Sequence, residues 1–167
     1  MSRQSKGEAA IMPRKSTRKN KTIYQLSREK AQLTREAAGE RMPFISDDKI
    51  ENIESGRSLP QPEDVLEMAR AYQDPLLANT YCSTQCPIGQ KYVPQLTEKE
   101  LSQITLDILA SLNELNADRD RLVDITVDGQ ITEDENTDFS RICGELRKMA
   151  VASNTLQLWL EKRLQAE

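Results

Sequence analysis

The sequence predicts an all-α protein, with a small helical domain near the N-terminus followed by a long antiparallel helical hairpin. Three observations point there. Residues 33–60, LTREAAGERMPFISDDKIENIESGRSLP, set apolar side chains at helical spacing on both sides of a short break. Residues 97–123 and 138–164 each carry apolar positions at coiled-coil spacing. The composition, 37% hydrophobic, 4% aromatic and 30% charged, is lean for one large core and suits exposed helices in small packs.

Taken in order, residues 22–32, TIYQLSREKAQ, put Ile23, Leu26 and Lys30 near one face of a first helix, with Tyr24 beside them. Thr34 starts a second helix, with Leu33, Ala37 and Ala38 on its inner side. Pro43 breaks it, because proline has no N–H to donate and cannot sit inside a helix. Ser46 opens the third helix: its hydroxyl caps free N–H groups, and Asp47 and Asp48 suit the positive end. Ile50 and Ile53 form the apolar stripe, and Gly56 ends the helix, since glycine enters the left-handed conformation without strain. This is a helix, a tight turn and a second helix. Pro62 then begins a fourth helix, PEDVLEMARAY, with Val65, Leu66, Met68, Ala69 and Tyr72 as its buried face. Asp74 to Tyr81 can add a short fifth.

The residues Leu33, Thr34, Glu36 and Ala37, then Ile50, Ile53, Glu54, Gly56 and Pro60, follow the pattern LTxExxA, a turn, IxxIExGxxxP. In this the segment resembles the helix-turn-helix of the Cro/CI-type repressors, the XRE family, over about one third of the chain. The resemblance implies a five-helix lambda-repressor-like DNA-binding domain over residues 22–82 and a sequence-specific transcriptional regulator whose partner is double-stranded DNA. It implies that helix 46–55 enters the major groove. Ser46, Asp47, Asp48, Lys49 and Asn52 are then the candidate base-edge residues, and an acid at 47 or 48 can accept from cytosine N4. Thr34 and Arg35, with Arg57 and Ser58, match family positions that contact phosphates.

Charge is distributed unevenly. The net charge is −4, but residues 1–30 hold nine Lys/Arg against two acids, a net +7, while the remainder holds 14 against 25, a net −11. Such asymmetry points to a polyanionic partner for the basic end. Residues 1–21 read as a disordered basic arm, in which Lys15, Arg18, Lys19 and Lys21 would lie along phosphates or enter a minor groove. No apolar run approaches 18 residues and no signal-peptide apolar segment is present, so a cytoplasmic protein with no membrane association is expected. Three cysteines, Cys82, Cys86 and Cys143, fit a reducing compartment better than a disulfide framework.

Residues 83–96, with Pro87, Gly89 and Pro94, read as a linker. Residues 97–167 read as the hairpin. Thr97 and Glu100 form a capping box. Leu101, Ile108, Leu115 and Leu122 repeat every seven residues, with Ile104 and Leu112 filling the seam. The second helix repeats the device at Phe139, Ile142, Leu146, Met149, Ser153, Leu156 and Leu160. Leu106, Leu109, Val151, Leu158 and Trp159 lie off these seams, so a second apolar face stays uncovered and a homodimer is expected. Between the helices, Asp124, Thr126, Asp128 and Glu135 fall at calcium-loop spacing. The same residues also read as an Asp128–Gly129 turn followed by a Thr132–Glu135 capping box.

The chain has no histidine, which excludes His-based acid/base and triad chemistry. Phosphate-cradling glycine loops, zincin and kinase motifs are absent, so no enzyme and no cofactor are expected. The reading from a different class is a protein-interaction module, antitoxin-like or adaptor, whose acid-rich third helix binds a basic partner.

Overall fold

The computed structural model describes residues 20–165. Among these the chain is all-helical, with nine α-helices and no strand. They run α1 Ile23–Lys30, α2 Arg35–Glu40, α3 Asp47–Glu54, α4 Pro62–Ala71, α5 Pro75–Thr84, α6 Pro87–Tyr92, α7 Leu101–Ala117, α8 Arg119–Thr126 and α9 Asn136–Gln165. The chain divides into two compact units, one ending at Leu77 and the other beginning at Ala78, so the division falls inside α5.

In the first unit, three helices start on hydroxyl caps. Thr22 accepts from the Gln25 N–H at the start of α1. Thr34 accepts from the Ala37 N–H at 3.1 Å, and Ser46 from the Lys49 N–H at 3.3 Å. Each satisfies a donor that the first turn leaves unpaired. Three helices also end alike. Gln32, Gly56 and Gln73 take left-handed φ values of +57°, +75° and +53°. The next N–H then reaches back five residues, Leu33 to Arg28, Arg57 to Asn52 and Asp74 to Ala69. The core gathers Tyr24, Leu33, Ala38, Met42, Ile45, Ile50, Ile53, Val65, Met68, Tyr72 and Leu77. Two details differ from the sequence reading. The inner face of α1 is Tyr24, Gln25, Ser27 and Arg28, while Leu26 and Lys30 are exposed. In α4, Leu66 is exposed and Val65, Met68 and Ala69 are buried. The α1 shift follows from burying polar groups that have partners: Arg28 is ion-paired, and Ser27 donates to Asp74 at 2.8 Å.

In the second unit, the stretch read as a linker holds the end of α5 and all of α6. Gly89 lets these helices meet: a Cβ there would lie 1.9 Å from the Cys82 carbonyl oxygen. Asn79 clamps the strand-like residues beyond, donating to the Pro94 carbonyl at 3.0 Å and accepting from the Leu96 N–H at 2.9 Å. The predicted Thr97–Glu100 capping box does not form; α7 begins at Leu101 with Glu100 as its N-cap and no side-chain cap bond.

α7 and α9 pack antiparallel. Lys162, near the end of α9, pairs with Glu98 just before α7, whereas Arg141, early in α9, holds Asp118 at the end of α7. Arg121 of α8 pairs with Asp138 at 2.8 Å. α7 and α8 form nearly one rod, interrupted at Asp118, which caps both. The seam against α9 is Ile104, Ile108, Ser111, Leu115, Leu122 and Ile125, at alternating spacings of four and three apart from one seven-residue step over Asp118. The expected seam holds at Ile104, Ile108, Leu115 and Leu122, but Leu101 and Leu112 are exposed, and Ser111 and Ile125 take their place. On α9, Ile142, Glu145, Met149, Ala152 and Thr155 turn inward, while Leu146, Ser153, Leu156 and Leu160 turn outward. The small Ser111 and Ala152 permit this arrangement, since two helices approach most closely where side chains are short.

Between them, the residues at calcium-loop spacing are not gathered. Asp124 and Thr126 lie on α8, and the Thr126 hydroxyl donates to the Leu122 carbonyl. Asp128 accepts from the Gln130 N–H, beside Gly129 at φ +73°. Glu135 accepts from the Thr132 N–H at 3.0 Å, the capping contact of the alternative reading. Among the described residues, no group of three or more His, Cys, Asp or Glu side chains is placed to hold a metal ion.

Candidate nucleic-acid interface

The element the sequence puts forward is α3, and its inner end is held by charge. Glu54 is 2% exposed. Its carboxylate accepts from Arg28 at 2.6 Å and 2.9 Å and from Arg35 at 2.9 Å. Arg28 also donates to the Leu33 carbonyl at 2.5 Å. One acid therefore ties α3 to α1 and to the first turn of α2. Burial works against the Arg28 charge, but the Glu54 carboxylate outweighs it, and the guanidinium is held above its ordinary pKa. Tyr72 lies in the same field. Burial, and then the Glu54 charge, raise its phenol well above the usual value, so it stays neutral.

The outer end of α3 is set by the turn from α2. Met42 and Ile45 are buried and fasten that turn to the core. A Cβ on Gly39 would come within 3.3 Å of the Asp47 nitrogen, so α2 passes close to the start of α3. Phe44 is left in solvent at the tip, 86% exposed, two residues before the Ser46 cap. Sequence reasoning does not single out Phe44. Its one signal is an aromatic residue next to Pro43 in a turn, which hydropathy alone assigns to the core.

The candidate residues separate into two groups. Ser46, Asp47 and Asp48 are exposed at the N-terminus of α3, and Asn52 is half-buried one turn on. Arg57 and Ser58 are exposed in the following loop, with both backbone N–H groups donating to the Asn52 carbonyl. The other group is tied to the protein's own acids. Lys49 donates to Asp64 of α4 at 2.6 Å, and Asp64 also accepts from the Gln61 N–H. Arg35 is shared by Glu54 and, at 3.5 Å, Glu51. Lys21 donates to Glu29 at 2.6 Å, so this lysine, read as part of the arm, is fastened to α1. The hydroxyl of Thr34 is occupied as the α2 cap. Lys15, Arg18 and Lys19 lie outside the described residues.

The arrangement is a capped helix end offering hydroxyl, carboxylate and amide groups to solvent on a rigid three-helix mount. Its field is acidic, because Glu36, Glu40, Asp47, Asp48 and Glu51 are exposed or half-exposed here, outnumbering the exposed cations Arg41 and Arg57, while Arg35 and Lys49 are paired.

Residues 25–75 match a family described as a helix-turn-helix domain. No curated protein and no solved structure matches the chain. The matched residues run from α1 to the start of α5 and cover under a third of the sequence. They contain α2, α3 and α4 whole, and Arg28, Glu54 and Tyr72. The match supports a helix-turn-helix domain of the DNA-binding kind and extends to no particular repressor type. In that helix-turn-helix domain α2 is the first helix of the motif and α3 the second, and the Gly39 approach sets the distance between them. Among the described residues no helix is long and apolar enough to cross a membrane.

Proposed function

We propose that the chain is a sequence-specific, DNA-binding transcriptional regulator of the Cro/CI type, working as a homodimer. α3 enters the major groove with Ser46, Asp47, Asp48 and Asn52 at base edges, and Arg57 and Ser58 meet phosphate. The observation that carries this reading is the Arg28–Glu54–Arg35 network. It takes the acid nearest the helix end out of solvent and holds α3 on the core so that its N-terminal half projects outward. Asp47 and Asp48 then act as acceptors for cytosine N4, a use of carboxylates that direct readout allows. Phosphate attraction comes from the basic N-terminal residues, since the helix itself supplies little.

Selection of bound sequences from a random duplex pool tests this. Enrichment of a palindromic site is expected, and Asp47→Asn should change the preferred base at one position of each half-site. A pool that shows no enrichment at low salt overturns the reading.

A second reading is favoured by one specific feature, the acidic field around α2 and α3. In it the helix-turn-helix domain is a protein-interaction module, and this face binds a basic partner. The same selection separates the two, because here no sequence is enriched and Asp47→Lys with Asp48→Lys abolishes capture of the basic partner.

A further inference from the structure

The hairpin of the second unit has two unlike sides. On α7 the buried seam passes through Ile104, Ile108, Ser111 and Leu115; Leu101, Leu109 and Leu112 are turned from it by roughly 60–140° in the sense of the helix winding. On α9 Leu146 is turned in the same sense from Ile142 and Met149, and Leu156 and Leu160 are turned in that sense from the buried Ala152 and Thr155. Because the helices are antiparallel, rotations of equal sense bring both sets to one side of the hairpin. These six leucines are between 37% and 51% exposed. The residues among them, Thr105, Asn116, Ser153 and Gln157, bring no charge, and Arg119 is the cation at one end. The opposite side is charged. There a cleft of about 740 Å³ is lined from both helices, with Lys99, Asp107, Glu114, Glu145 and Lys148 among its residues.

We infer that the leucine side is a self-association surface whose occupant is the same side of a second copy, the two hairpins closing into a four-helix bundle. Three arguments select a second copy. First, a two-fold interface sets one patch against itself, which suits an uncharged apolar face and would penalise a charged one. Such depletion of charge marks interface cores. Second, α7 and α8, nearly one rod over residues 101–126, run about 39 Å, and two helices side by side are roughly 20 Å across, so the face approaches the roughly 800 Å² per partner that stable complexes bury. Third, two helices enclose only a seam, whereas four enclose a core in which Leu101, Leu109, Leu112, Leu146, Leu156 and Leu160 all lose water. The inference deepens the homodimer proposed above but rests on the hairpin alone.

Sedimentation velocity of the full chain over a concentration series tests it. Twice the monomer mass is expected. Leu112→Glu with Leu160→Glu should raise the dimer dissociation constant by about 30-fold or more. Glu114→Ala with Lys148→Ala, on the cleft side, should leave it unchanged. If the glutamate pair lowers the helical signal, Leu112→Gln with Leu160→Gln is read instead, since glutamine is a good helix former. A wild-type chain that stays monomeric at tens of micromolar overturns the inference, as does a dimer insensitive to both leucine pairs. A monomer that still enriches a DNA half-site leaves the DNA-binding reading standing, and a dimer that enriches nothing does the reverse.

Discussion

In α3 the acids have divided roles. Glu54 is buried between two guanidinium groups, whereas Asp47 and Asp48, seven and six residues earlier, lie in solvent at the helix start. A buried carboxylate without its partners is costly, and so is a buried guanidinium without its acid. Replacing Glu54 by Gln leaves Arg28 uncompensated in the core and should destabilise the first unit by about 3 kcal/mol. Urea unfolding followed by far-UV circular dichroism measures this, and an unchanged midpoint would show that the network contributes nothing net. The Glu54 position was legible as part of the helix-turn-helix pattern, but its partners were not. Arg28 and Arg35 are 26 and 19 residues away along the chain, and nothing local to them reports the contact. Gln32 and Gln73 are similar cases: glutamine carries no left-handed preference, so only the packing around the ends of α1 and α4 imposes that conformation.

Among the elements, helix starts were easier to read than helix faces. Thr34 and Ser46 cap where a local rule places them, because a cap needs only its own hydroxyl and the next turn. The first seam keeps Ile104, Ile108, Leu115 and Leu122 where their spacing puts them, but on α9 Glu145, Ala152 and Thr155 lie one step from the expected Leu146, Ser153 and Leu156, since leucine is equally suited to a seam and to an intermolecular face, and periodicity cannot separate the two. Polar pairs then secure the hairpin. Arg141 holds the Asp118 carboxyl below its ordinary value of 3.8, and Lys99 with Gln103 does the same for Asp107. A carboxylate depressed in the folded state stabilises it above the unfolded value and loses that effect as pH falls through the folded one. The thermal midpoint of the hairpin, read by its one tryptophan, Trp159, should therefore be level near neutrality and decline below 3.8. Asp118→Asn should melt earlier than wild type near neutrality and converge with it as pH falls through the lowered folded-state value. Parallel acid limbs would remove the pair from the account.

At the scale of the whole molecule, charge is sorted by position. Lys21, Arg35 and Lys49 are paired to the first unit's own acids, so near α3 the exposed cations are Arg41 and Arg57, and under the DNA-binding reading most phosphate attraction falls to the basic N-terminal residues. Replacing Lys15, Arg18 and Lys19 together by Ala should weaken DNA binding on all sequences alike. It should also flatten the slope of log affinity against log salt by roughly one unit for each phosphate that is no longer neutralised. Lys21→Ala should change that slope little, because Lys21 is held by Glu29. Equal slopes for wild type and the triple variant would take the basic residues out of the binding account.

By itself the sequence determined the helical class, the helix-turn-helix and its caps, the long hairpin and the uneven charge. All of these are set by neighbours within a turn or by a repeat along one helix. Only the tertiary structure decided which cations are already spent on Glu54, Glu29 and Asp64, which leucines of the hairpin face outward, and that Phe44 stands in solvent while Met42 and Ile45 do not. Those outcomes depend on groups brought together from distant parts of the chain, where burial and pairing outweigh the local preferences that a linear pattern records.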